Sequence, residues 1–136
     1  MADPQRLKKI LSGRRPKVAT GLRVFTADNF QTEVVDARCL VVFDFYADRW
    51  VPCKSMFETM REIATTYAKD PVRVGRVNVD EDSELTKELG IRAVPAVMAV
   101  YRGDVVLELV GEKSYEDLRA KIDPFVQVAR EHSDAG

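Results

Sequence analysis

Leu40-Val41-Val42-Phe43-Asp44-Phe45-Tyr46 is apolar at nearly every position, rich in β-branched and aromatic side chains, and interrupted once, by Asp44. Strict alternation of apolar and polar residues would mark a sheet with one wet face. A continuous run instead marks a strand covered on both faces, which points to a central sheet with helices on either side. The flanking sequence supplies those helices. From Leu22 onward strand-like and helix-like periods alternate, the pattern of an α/β domain. Residues 22–25 predict a short strand, and Thr26 is placed as the N-cap of a helix that carries Phe30, Val34 and Val35 to about Ala37. Beyond the central strand, Met56, Phe57, Met60, Ile63, Ala64 and Tyr67 recur at spacings of three and four, predicting a helix over 53–68 with that face buried.

Lys69-Asp70-Pro71 breaks that helix, and Val72, Val74, Val77 and Val79 predict a further strand whose pattern slips at Gly75-Arg76. A short helix over 84–89 is stopped by Gly90. Residues 95–101 form another apolar strand, and Arg102-Gly103-Asp104 a hairpin turn into a partner strand over 105–110. Ser114 with Asp117 resembles a capping box ahead of a final helix whose stripe is Leu118, Ile122, Phe125, Val126 and Ala129.

With 136 residues, 46% hydrophobic and 32% charged, the chain fits a single soluble domain over 21–130. No apolar run approaches the roughly 18 residues of a membrane span, so a cytoplasmic location is the expectation. Cys39 and Cys53 are too few for a disulfide framework and fall near opposite ends of one strand, so their mutual pairing is not expected. Neither a metal nor a cofactor is expected. Residues 1–20 carry six Lys and Arg against Asp3, a basic arm on a body whose net charge over 21–136 is -6. Such an arm is read first as a solvated terminus and second as an element that contacts an acidic partner, with nucleic acid not the expected partner. Residues 131–136 are read as a polar tail, with His132 a bystander in it.

Several segments then agree in order and spacing. Val42-Phe43-Asp44-Phe45-Tyr46-Ala47-Asp48 leads to Pro52-Cys53-Lys54; Val77-Asn78-Val79-Asp80 and Gly90-Ile91-Arg92-Ala93-Val94-Pro95 follow, with Gly103 and Gly111 beyond. Together these resemble the thioredoxin family over about residues 22–122. The resemblance implies the thioredoxin fold, a mixed central sheet flanked by helices on both faces. It also implies that Cys53 stands in the first turn of a helix as the second cysteine of the family's Trp-Cys-Gly-Pro-Cys-Lys motif. Pro95 corresponds to the proline that follows a cis peptide bond beside the active site.

The departures from that pattern bear on chemistry. Trp50 stands where the family's attacking cysteine would be, Val51 replaces the glycine, and Arg49 occupies the place of the preceding tryptophan. Cys53 therefore has no partner for a cyclic disulfide, and a dithiol cycle cannot turn over within the chain. Asp44 matches the family's buried aspartate, and Arg76 replaces a lysine near it. A fixed guanidinium–carboxylate pair is expected there, favouring ionised Asp44 and weakening it as a proton shuttle. Glu58 replaces a kinking proline, so a straighter helix is expected.

Two functions follow as expectations. In the first, the protein is a redox-inactive polypeptide-binding or scaffold module. Its groove lies between Arg49, Trp50, Val51 and Pro52, the Val94-Pro95 step, and Val110, Gly111 and Glu112. In the second, Cys53 acts alone as a monothiol oxidoreductase, with Asp44 assisting and the other thiol supplied from outside. Trp50 either fills the groove or offers an aromatic anchor, and Cys39 is read as a packing residue.

Overall fold

The structure, a computed structural model, describes residues 21–133. The basic arm and the last three residues lie outside the described residues. Five strands form one mixed sheet: β1 (Leu22–Val24), β2 (Leu40–Tyr46), β3 (Val72–Asn78), β4 (Ala96–Tyr101) and β5 (Asp104–Val110). Their spatial order is β1-β3-β2-β4-β5. β1 and β2 both run parallel to β3, whereas β4 is antiparallel to β2 and to β5. Among the described residues the helices are α1 (Gln31–Val35), α2 (Val51–Thr66), α3 (Ser83–Glu88) and α4 (Tyr115–Ser133).

The continuous apolar run of β2 is explained by its two covered faces. Leu40 and Val42 join Met56, Met60 and Ile63 of α2 and Leu118, Ile122 and Val126 of α4 in one cluster. Val41, Phe43 and Phe45 join Phe30, Val34 and Leu85 in a second cluster on the other face. Phe43 is its hub, meeting Phe25 and Phe30 edge-on at 5.7 Å between ring centroids. The slip in the valine pattern at Gly75-Arg76 also has a physical cause. A Cβ at Gly75 would stand 2.5 Å from the Phe25 ring, so the glycine leaves room for that ring to lie across β3. Arg76 then faces the opposite side, toward α2.

Three local expectations change. Thr26 caps the segment leading into α1, its backbone N–H donating to Asn29 Oδ1 (2.8 Å) while Asn29 N–H donates to Thr26 Oγ1 (3.4 Å) and Phe30 N–H to Thr26 O (2.9 Å), but the helix that follows is not regular. These reciprocal bonds form a capping box. α1 follows as one widened turn, with Asp36 N–H reaching Gln31 O at 2.8 Å. Phe57, placed on the buried face of α2, is 41% exposed. Its ring lies between the buried Arg76 guanidinium and that of Arg61, 5.2 and 5.8 Å from its centroid. α4 also continues through Ser133, so residues 131–133 of the expected tail are helical.

The β4–β5 connection is a two-residue hairpin in which Arg102 (φ 52°) and Gly103 (φ 87°) both take left-handed backbone, as a type I′ turn requires. Ser114 Oγ accepts the Asp117 N–H at 3.1 Å and so caps α4. α2 runs unbroken through Glu58.

α2 and α4 are locked together by Tyr67, whose hydroxyl donates to Asp123 Oδ1 at 3.0 Å. Burial, followed by that hydrogen bond and the Asp123 charge, pushes the Tyr67 phenol up to about 12. The folded chain thus holds this proton more tightly than the unfolded chain, whose phenol titrates near ~10. Stabilisation is complete below the unfolded value and is lost as pH rises toward the folded one. Tyr67→Phe is expected to lower stability by about 1 kcal/mol at neutral pH and to flatten the decline in alkali. Urea denaturation across alkaline pH checks this, and an unchanged alkaline slope would contradict it.

Candidate functional site

β2 and β3 run parallel, so their C-terminal ends lie together, and the antiparallel β4 begins where they finish. Phe45 pairs with Ala96, and Ala96 with Val110. The Val94-Pro95 peptide bond is cis. Gly111 N–H donates to Pro95 O at 2.8 Å, and Lys113 N–H contacts Met56 Sδ at 3.4 Å, tying the β5–α4 loop to α2. The sheet topology thereby brings Arg49, Trp50, Val51 and Pro52 to the same end as Val94, Pro95, Val110, Gly111 and Glu112.

Trp50 is the N-cap of α2, with extended backbone (φ -101°, ψ 115°) and no side-chain cap. Its N–H donates to Ala47 O at 3.1 Å and its carbonyl accepts the Cys53 N–H at 3.0 Å. The indole is 52% exposed, and Val51 and Val110 are more exposed still, at 68% and 61%. Pro52 occupies the first turn of α2, where a missing N–H costs nothing. The result is an apolar rim open to solvent.

Cys53 lies beneath this rim, 2% exposed. Burial pushes its thiol above the ordinary range. The Ala47 backbone and the Arg76 charge pull it down, while the Asp44 charge adds to the rise. A helix N-terminus favours a thiolate, but at this position desolvation is the larger effect.

Directly below, Asp44 and Arg76 are lateral partners in the parallel β2–β3 register. Arg76 Nε and Nη2 donate to Asp44 Oδ1 and Oδ2, each at 2.7 Å, in a two-pronged pair. Nη2 also donates to the Cys53 carbonyl at 3.0 Å, so one guanidinium joins β2, β3 and the first turn of α2. The Tyr46 ring covers it at 4.1 Å and the Phe57 ring approaches at 5.2 Å. Asp44 is fully buried and Arg76 is 8% exposed. Arg76 pulls the Asp44 carboxyl down, as the sequence led one to expect. Burial pushes it up and is larger, so the carboxyl sits above its ordinary value. That corrects the expected direction. The ion pair itself still engages both carboxylate oxygens.

Sequence reasoning did not identify Tyr46 and Phe57 as the rings that flank Arg76. Phe57 carried a signal in retrospect, standing four residues after Cys53 and thus over the same helical turn. The backbone acceptor at Cys53 carried none. Cys39 precedes β2 at the opposite end of the sheet, in a cleft of about 570 Å³ that includes Pro71, Val72 and Arg73. A second cleft is lined by Glu58, Arg61 and Tyr115. Neither includes Trp50 or Cys53. Among the described residues no group of three His, Cys, Asp or Glu side chains could hold a metal ion. No helix among them is long and apolar enough to cross a membrane.

A mixed sheet that presents a Pro-Cys step at a helix start, across from a cis Val94-Pro95 bond, defines a thioredoxin-like α/β protein. The thioredoxin family model matches residues 21–124, and the chain belongs to the thioredoxin family. Similar proteins include the thioredoxin of Chlorobaculum thiosulfatiphilum, 31% identical over 74% of this chain and 93% of that protein. Thioredoxin C-2 of Corynebacterium nephridii is 34% identical over 72% and 90% of the two chains. The crystal structure of Malassezia sympodialis thioredoxin (Mala s 13) superposes with a TM-score of 0.70 at 32% identity, covering 77% of this chain and 90% of that one.

Proposed function

We propose that this protein is a thioredoxin-family member without dithiol disulfide-reductase activity. It binds extended polypeptide noncovalently across the rim formed by Arg49 to Pro52, Val94-Pro95 and Val110 to Glu112. The observation that carries this reading is the pairing of an exposed Trp50, where the family's attacking cysteine would stand, with a Cys53 that is 2% exposed. A thiol pushed up by burial and out of reach attacks an external disulfide poorly, and with no sulfur at position 50 it has no mixed disulfide to resolve. The same burial weighs against the monothiol alternative, which needs a depressed thiol pKa. Protein partners and a cytoplasmic location belong to this reading.

The test uses a Cys39→Ser background so that only one thiol reports. Cys53 is expected to react with dithiobisnitrobenzoate at least about tenfold more slowly than free cysteine at neutral pH. Insulin reduction is expected to match that of a Cys53→Ser control. A thiol faster than free cysteine, or turnover above the control, would overturn the reading.

A further inference from the structure

We propose that the rim around Trp50 selects polypeptides that carry acidic side chains on either side of an apolar residue, an inference that rests on the groove reading above. The apolar anchor is Trp50 with Val51 and Val110, all exposed. Chain position and sheet topology put three cations at the same end of the sheet. Arg49 immediately precedes Trp50. Lys54 lies three residues beyond Val51 and so shares its helical face. Arg92 stands two residues before the Val94-Pro95 step. All three are exposed, and among the described residues none of them forms an ion pair; the paired cations are Arg23, Arg61, Arg73, Arg76 and Arg130.

Among the described residues the nearby acids form no ion pair with these cations. Asp48 accepts a hydrogen bond from Asn78 Nδ2 at 3.2 Å, on the β3 side. Asp80, Glu81 and Asp82 follow β3, across β2 from Pro95 in the sheet order, and Asp82 Oδ1 is taken by the Ala27 N–H at 2.9 Å. Glu112 is exposed, but Lys113 adjoins it and places its ammonium on Val110 O at 2.8 Å. The net charge of residues 21–136 is -6, yet physiological salt confines each charge to about 8 Å, so a docked chain responds to the charges it touches. Unpaired cations at the same end of the sheet as an apolar anchor favour carboxylates in the partner and disfavour ammonium groups.

The test takes two fluorescein-labelled peptides sharing a Leu-Val-Phe-Val centre, one flanked by glutamates and one by lysines, and follows anisotropy on titration with the full chain. In about 50 mM salt the acidic peptide is expected to bind at least ~10-fold tighter, with the preference shrinking below about threefold near 1 M salt. The triple variant Arg49→Glu/Lys54→Glu/Arg92→Glu, all at exposed positions, is expected to reverse it. Equal binding of both peptides, abolished by Trp50→Ala, would overturn the charge preference and leave the groove reading standing. Binding of neither peptide would overturn both.

Discussion

Replacing Arg76 with methionine is expected to lower folding stability by about 3–5 kcal/mol, read from urea denaturation. The size follows from what the substitution leaves behind. Asp44 has no exposed surface, and the guanidinium is its cationic partner. Without Arg76 the carboxyl must either remain charged in a desolvated site or take up a proton, and burial already pushes it toward the second outcome. The Cys53 carbonyl loses its Arg76 donor in the same step. Asp44→Leu/Arg76→Met removes both charges, and a packed apolar pair commonly replaces a buried ion pair with little loss. The double variant is therefore expected to recover most of the stability lost by the single one. If it proves less stable than Arg76→Met alone, the pair is not the interaction described, because removing the stranded carboxyl would have made matters worse.

The sheet was legible in the sequence because its strands are apolar runs with strong β propensity, and Leu40–Tyr46 was bounded to the residue. The stripes of α2 and α4 were legible for the equivalent helical reason, apart from Phe57. An aromatic at a core spacing reads as core unless the cations that flank it can be located, and Arg76 comes from a strand 19 residues away. Asp44 and Arg76 could be paired through the family resemblance, and the parallel register supplies the physical ground for it. The net direction of the Asp44 shift was not legible, because burial competes with the ion pair and sequence reports no solvent exposure. Trp50 stayed open for a similar reason. Indole serves equally as filler or anchor, and the choice depends on how far α2 stands from the Pro95 step.

Trp50→Cys is expected to create a protein that reduces insulin measurably yet slowly, and adding Arg76→Lys is expected to raise that rate on the order of tenfold to a hundredfold. The new sulfur would stand at the N-cap of α2, at a half-exposed position next to Arg49, where the positive helix end and a guanidinium both favour thiolate. Attack on a disulfide then becomes available. Resolution is the harder step, since Cys53 must lose a proton while buried and with its thiol pushed up. The nearest buried carboxyl is Asp44, and both of its oxygens are held by Arg76 at 2.7 Å. Lysine cannot reproduce that fork. Its ammonium is a single point of charge, so it can satisfy one oxygen and leave the other able to receive a proton. The rate difference between Trp50→Cys and Trp50→Cys/Arg76→Lys thus measures how strongly the arginine clamp blocks proton transfer, provided both variants unfold at similar urea concentrations. Trapping should agree with it: the single variant accumulates mixed disulfide with its substrate and the double variant clears it. Equal rates would mean that proton transfer from Cys53 does not pass through Asp44 and that the missing sulfur alone accounts for the proposed lack of dithiol reductase activity.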